Sequence, residues 1–224
     1  SDEEAKVDEN EFVEETDGLT DNISWNGYYY YDGEVRNAHI SDYANSRTSN
    51  FMPVQQSTEM LWSLSEWEKL DGKYALANNG KLITDFIYDE CGSCGNEELI
   101  AVCKDGKWGY INSTGKEVIP LQFDATWNRY SSDEINVENL DAEDGTEEFC
   151  YASSQGYIPL RQGDQWELCD TKGNIIIPFG EFDEILPVNM SKKCWVKKDG
   201  KWGVIKITDS VVTTNINEEW KQMY

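Results

Sequence analysis

Between two turn signals, Lys107-Trp108-Gly109-Tyr110-Ile111-Asn112 reads as a β-strand, whose side chains alternate between two faces with a period of two. That period puts Trp108, Tyr110 and Asn112 on one face and Gly109 and Ile111 on the other. Asp105-Gly106, just before, has the residue types of a tight hairpin turn. Ser113-Thr114-Gly115, just after, suits a longer hairpin loop in which Gly takes positive φ. Val118-Ile119 reads as the return strand, and Pro120 is expected to end it, because proline cannot donate to a sheet ladder. Gly109 leaves its face bare, so a neighbouring backbone or aromatic ring can approach closely.

Other stretches read differently. Between Ile23 and Ile40 the run Trp25-Asn26-Gly27-Tyr28-Tyr29-Tyr30-Tyr31 predicts a strand, and Asp32-Gly33 a hairpin turn. Residues 41–56 are polar and contain proline, so a loop is expected. Helical spacing covers 57–70, where Met60, Leu61, Leu64 and Trp67 share a face, Ser57 or Thr58 can cap the start and Gly72 follows as a stop. Residues 1–19 hold nine acids and one Lys, which predicts a disordered acidic stalk. The chain thus divides into the stalk, N-terminal strands plus a helix over 20–69, and a region over 70–224 with an acidic insertion at 131–149.

That last region repeats itself. The unit just described runs from Lys104 to Phe123-Asp124. A second copy runs from Gly163 through Trp166 and Gly173 to Pro178 and Phe182-Asp183. A weaker copy spans Gly72 to Tyr88-Asp89 with Tyr74 at the Trp position, and a partial one starts at Lys198 with Trp202-Gly203. Successive aromatic positions lie 34, 58 and 36 residues apart, the longest interval containing the insertion. One meander with apolar faces cannot hide them alone, so neighbouring units must stack. Tyr74, Trp108, Trp166, Trp202, Gly109, Gly203, Pro120 and Pro178 are the expected structural positions of the repeat.

These residues resemble the WG-repeat family, whose copies read Gly-Lys-Trp-Gly-Tyr-Ile-Asp, a Gly-Lys turn, Val-Ile-Pro and an aromatic-Asp pair. The resemblance covers about 70–210. It departs from the pattern at Tyr74-Ala75 and Trp166-Glu167, and in the missing second half of the last copy. It implies a bacterial and often exported protein, and brings no catalytic residues. The fold class expected is all-β with one peripheral helix: stacked antiparallel meanders forming an open twisted array, with an incomplete propeller-like or barrel-like arrangement as the alternative.

Charge narrows the partners. With 43 acids, 19 bases and a net charge of −24, binding to nucleic acid is disfavoured, since affinity there comes from Lys and Arg releasing phosphate counterions. No stretch reaches the length of a membrane-spanning helix, so no membrane insertion is expected. The chain opens at Ser1-Asp2-Glu3-Glu4 with no initiator Met or apolar leader, and a mature or trimmed form of an exported protein is expected. The even count of six Cys in that compartment makes Cys91, Cys94, Cys103, Cys150, Cys169 and Cys194 disulfide candidates, with the pairing open. Cys91 and Cys94 form a CxxC pair without the second pair that a zinc site needs, so no metal and no cofactor are expected.

The single histidine, His39, has no nucleophile motif beside it, and no catalytic residue is named. The acidic stretch from Glu138 to Gly145 lacks the register of an EF-hand loop. The expected function is a non-catalytic extracytoplasmic module, secreted or anchored at the cell surface, that binds a protein or peptide. A glycan-binding module using exposed aromatics is the alternative. If the repeat Trp residues are buried, Trp25, Tyr28, Tyr29, Tyr30, Tyr31 and Trp127 remain as candidate contact residues.

Overall fold

A computed structural model describes residues 28–37, 51–61, 70–94, 98–129, 147–208 and 211–213. The first sheet contains β1 (Tyr28–Tyr31), β2 (Glu34–Asn37), β3 (Met52–Gln56), β4 (Tyr74–Asn78) and β5 (Lys81–Leu82), in the order β2-β1-β3-β4-β5. The second is a meander of β6 (Glu90–Cys94), β7 (Leu99–Lys104), β8 (Lys107–Asn112) and β9 (Glu117–Phe123). A two-stranded ribbon, β10 (Trp127–Arg129) and β11 (Glu147–Phe149), brackets the insertion. The third sheet is β12 (Tyr157–Gln162), β13 (Gln165–Asp170) and β14 (Ile175–Ile177). The fourth is β15 (Glu184–Ile185), β16 (Lys193–Lys198), β17 (Lys201–Thr208) and β18 (Val211–Thr213). Every strand pair is antiparallel except β1 with β3.

The sheets stack face on face in chain order. Leu76 of the first sheet packs with Ile100, Val102 and Ile111 of the second. On the opposite face of the second sheet, Ala101, Cys103, Trp108 and Tyr110 pack with Ile158, Leu160 and Cys169 of the third. Trp166, Leu168 and Ile177 of the third then meet Ile185, Cys194, Val196 and Ile205 of the fourth. Strand parity explains the sorting: alternate residues of one strand serve the preceding and the following sheet. Tyr74, Trp108 and Trp166 at the Trp position face the following one. Trp108 is 2% exposed, whereas Trp202, on the outer side of the fourth sheet, is half-buried beneath the Lys197 ammonium, 5.7 Å from its ring centroid.

The tight turns form as their residues require. Asp105 and Gly106 have φ of 52° and 76°, and Asp199 and Gly200 have 51° and 75°, the paired positive angles of a type I′ hairpin.

Two expectations are corrected, and a third lies mostly outside the described residues. Residues 52–56 are strand β3, not loop: Met52 and Val54 alternate into the core, and buried Gln55 donates from Nε2 to the Gly72 carbonyl at 2.8 Å. The polar neighbours and Pro53 masked this period. The helix over 57–70 falls mostly on 62–69, outside the described residues; its described start, 57–61, is a turn in which the Glu59 N–H donates to Ser57 Oγ. Nor does Pro120 end its strand. β9 continues to Phe123, which pairs with Trp108, and the register shifts on either side of Tyr110. As the edge of its sheet, β9 tolerates a residue without an N–H.

Gly109 is what lets β9 pass. A Cβ there would lie 2.4 Å from the Ile119 carbonyl oxygen and 2.8 Å from Leu121 N. Glu167 holds the matching position in the third sheet, with its side chain buried, and there the return strand β14 stops at Ile177 with Pro178 just beyond.

Gly109→Ala is expected to destabilise by roughly 2–3 kcal/mol, as overpacking against backbone does. Trp108→Ala is expected to cost about 3–5 kcal/mol, and Trp202→Ala distinctly less, because its ring is only half-buried. Urea melts of the three variants check the order; a Gly109→Ala protein as stable as the parent would refute the close approach.

Candidate functional site

The aspartate that closes each repeat starts a joint to the next one. Asp89 donates its N–H to the Cys103 carbonyl at 2.8 Å, and its Oδ2 accepts from the Asp105 N–H at 2.9 Å. Asp124 makes the same pair of bonds with the Arg161 carbonyl and the Gly163 N–H, both at 2.8 Å. Asp183 makes them with the Lys197 carbonyl and the Asp199 N–H, again both at 2.8 Å. In each case the carboxylate clamps the hairpin turn of the following Trp strand. A lysine from the preceding repeat completes two of the joints: Lys73 pairs with Asp89, and Lys107 Nζ lies 2.6 Å from Asp124 Oδ1. The clamp spans 16 residues at Asp89 and Asp183 but 39 at Asp124, so the insertion is looped out without disturbing it.

The Gly163 N–H and then Lys107 hold the Asp124 carboxyl below the usual carboxylate value, against an opposing push from burial. Arg161 supports the same corner, donating from Nε to the Ala125 carbonyl at 2.6 Å and from Nη1 to Gly163 O at 2.9 Å.

A second joint uses the longer loops. Asn112 Oδ1 accepts from the Thr114 and Lys116 N–H groups, and Asp170 Oδ1 from those of Lys172 and Asn174. These side chains hold Gly115 and Gly173 at positive φ against the preceding repeat. A Cβ on Gly115 would lie 2.9 Å from the Ile83 carbonyl, and one on Gly173 3.1 Å from that of Val118. Ile83 and Val118 each stand three residues after their own repeat's loop glycine, so the contact recurs in register. The recurrence of an aromatic-Asp pair and of Asn or Asp before the loop was visible in the sequence; only the fold shows what each binds.

Trp108 and Trp166 are buried, and Tyr74 and Trp202 half-buried. Gly109 and Gly203 are buried, and Pro120 and Pro178 face solvent. Among the candidate contact residues, Tyr28 and Tyr29 are core, which removes them as a stacking platform; Tyr29 Oη accepts from the Leu61 N–H at 3.0 Å. Tyr30 packs on Phe86 at 5.7 Å, and the Arg36 guanidinium lies over the Tyr31 ring at 5.3 Å. Trp25 and the side chain of Trp127 lie outside the described residues.

The disulfide expectation is overturned. Cys91, Cys103, Cys150, Cys169 and Cys194 are free and buried, and the side chain of Cys94 lies outside the described residues. They serve as small core residues spread through the stack. Cys91 faces the first sheet, Cys194 lies between the third and fourth, and the other three sit between the second and third. Burial pushes all five thiols up, Cys169 to about 12, far from the thiolate form that reacts. Beside three of them, Tyr110 is fully buried and donates its hydroxyl to the Tyr151 carbonyl.

Residues 78–108, 108–128 and 168–202 match the family model described as WG containing repeat. The chain belongs to the WG-repeat family. Two of the matched WG units, 78–108 and 168–202, begin on one Trp strand and end at the Trp of the next, so each encloses a complete aspartate clamp. The stretch left between matches, 129–167, contains the insertion. Comparison with curated proteins and with solved structures finds no match.

Asp124→Asn is expected to destabilise the protein by about 1–2 kcal/mol at neutral pH through loss of charge-assisted bonds. Because the folded-state value is depressed, that contribution is present above the ordinary carboxylate range. It is lost as pH falls through the folded value, so the gap between variant and parent should close below about pH 4. Denaturant melts across pH measure this; a constant gap would show that the charge is irrelevant. Separately, the five thiols should react slowly with a disulfide reagent in the native protein and at once in urea without reductant.

Proposed function

We propose that the chain is a non-catalytic, extracytoplasmic β-repeat module that binds a protein or peptide partner through its outer sheet edges. One observation carries this reading: the residues that define the repeat are used up in building it. Trp108 and Trp166 are core, Gly109 admits β9, and the closing aspartates clamp the turns. That leaves the rims and edges for recognition, as in other repeat arrays. The buried thiols withdraw the cysteine argument for export. The compartment now rests on the acidic segment 1–19 and on the family's frequent export.

Peptide and glycan arrays probed with the intact chain test the reading. Binding to peptides and not to glycans is expected. Glycan binding lost in a Trp202→Ala protein of unchanged stability would overturn it in favour of the glycan alternative.

A further inference from the structure

Among the described residues, the same strand of the repeat carries a proline and side-chain caps in one copy and neither in the next. β9 is the edge of its sheet, and its outer side is blocked: Pro120 stands in the middle, Glu117 Oε1 accepts from the Leu121 N–H at 3.2 Å, and Gln162 Nε2 donates to the Gln122 carbonyl at 3.1 Å. Proline and side-chain capping of this kind stop an edge from pairing with other chains. β14 is the corresponding edge of the third sheet, with β13 as its one sheet neighbour. Its sequence is Ile175-Ile176-Ile177, with no proline or charge inside it. Ile177 is core, but Ile175 is 61% exposed, the most exposed strand aliphatic among the described residues.

We propose that the outer edge of β14 accepts an extended, basic peptide by strand addition. This rests on the peptide-binding reading above and assigns it a place and a mode. Main-chain hydrogen bonds would supply the affinity, and Ile175 would pack against a β-branched side chain of the added strand. The charge of the partner follows from the chain's own charge of −24, which attracts a cationic segment and repels a second copy.

The probe is the acetylated, amidated hexapeptide Lys-Val-Thr-Val-Thr-Lys, titrated into the isotope-labelled intact chain. A version N-methylated at alternate residues, which cannot pair, is the control. Shifts of the amides of residues 174–177 by the first peptide and not the second are expected. Ile175→Lys should weaken binding by about tenfold or more without moving the urea midpoint, since the side chain is exposed. Shifts confined to another strand edge would overturn the assignment to β14 and leave the peptide-binding reading standing. No shifts anywhere at millimolar peptide, together with silent peptide arrays, would overturn both. A free-protein dimer that Ile175→Lys dissolves would overturn the proposal in favour of self-pairing.

Discussion

A small antiparallel meander whose strands carry apolar residues on both faces is unstable in water until both faces are covered. Between the sheets of this chain the cover is the neighbouring meander. Ile100 and Val102 turn to the sheet before, Ala101 and Cys103 to the sheet after, and the same alternation holds along β8 with Ile111 against Trp108 and Tyr110. The stacking order is therefore set by strand parity. A one-residue slip in β8 would exchange the two faces and bury neither set correctly.

Hydrophobic cover does not by itself fix how far one sheet turns on the next. The contacts between neighbouring sheets help to do that, Lys73 and Lys107 reaching forward to Asp89 and Asp124. Asp89, Asp124 and Asp183 each fix the start of a sheet to the hairpin turn of the following Trp strand. Gly115 and Gly173 let the loops rest directly on the carbonyls of Ile83 and Val118. These contacts sit at the ends of the strands, where a side chain can reach a turn N–H. Because both ends of the Asp124 clamp belong to packed elements, the chain between them can lengthen freely. Loop-closure entropy grows only slowly with length, which is why an insertion is tolerated at that point of the repeat.

Divergence between the copies has local structural effects. Where Gly109 removes the side chain, β9 lies close against β8 and extends past its proline to Phe123. Where Glu167 replaces it, β14 halts before Pro178 and its carboxyl is buried, which pushes its pKa up. A residue that looks like a minor departure in the motif thus goes with a shorter return strand.

Much of this was legible from residue order alone. The period-two alternation of β8, the Asp-Gly turns and the recurrence of the Trp, loop-glycine and aromatic-Asp positions determined the strands, the hairpins and the stacking of repeats. Each of those features is local, and a strand or a turn is decided by neighbours a few residues away. What lay beyond reach depended on partners distant in the chain. The fate of Pro120 turned on whether β9 was an edge strand. The strand at 52–56 existed because β1 and β4 flank it. The cysteines stayed free because parity distributed them over several interfaces as small apolar residues. The closing aspartates found turns 16 and 39 residues away. Only tertiary packing decides such matters, because burial and hydrogen-bond partners belong to the assembled stack.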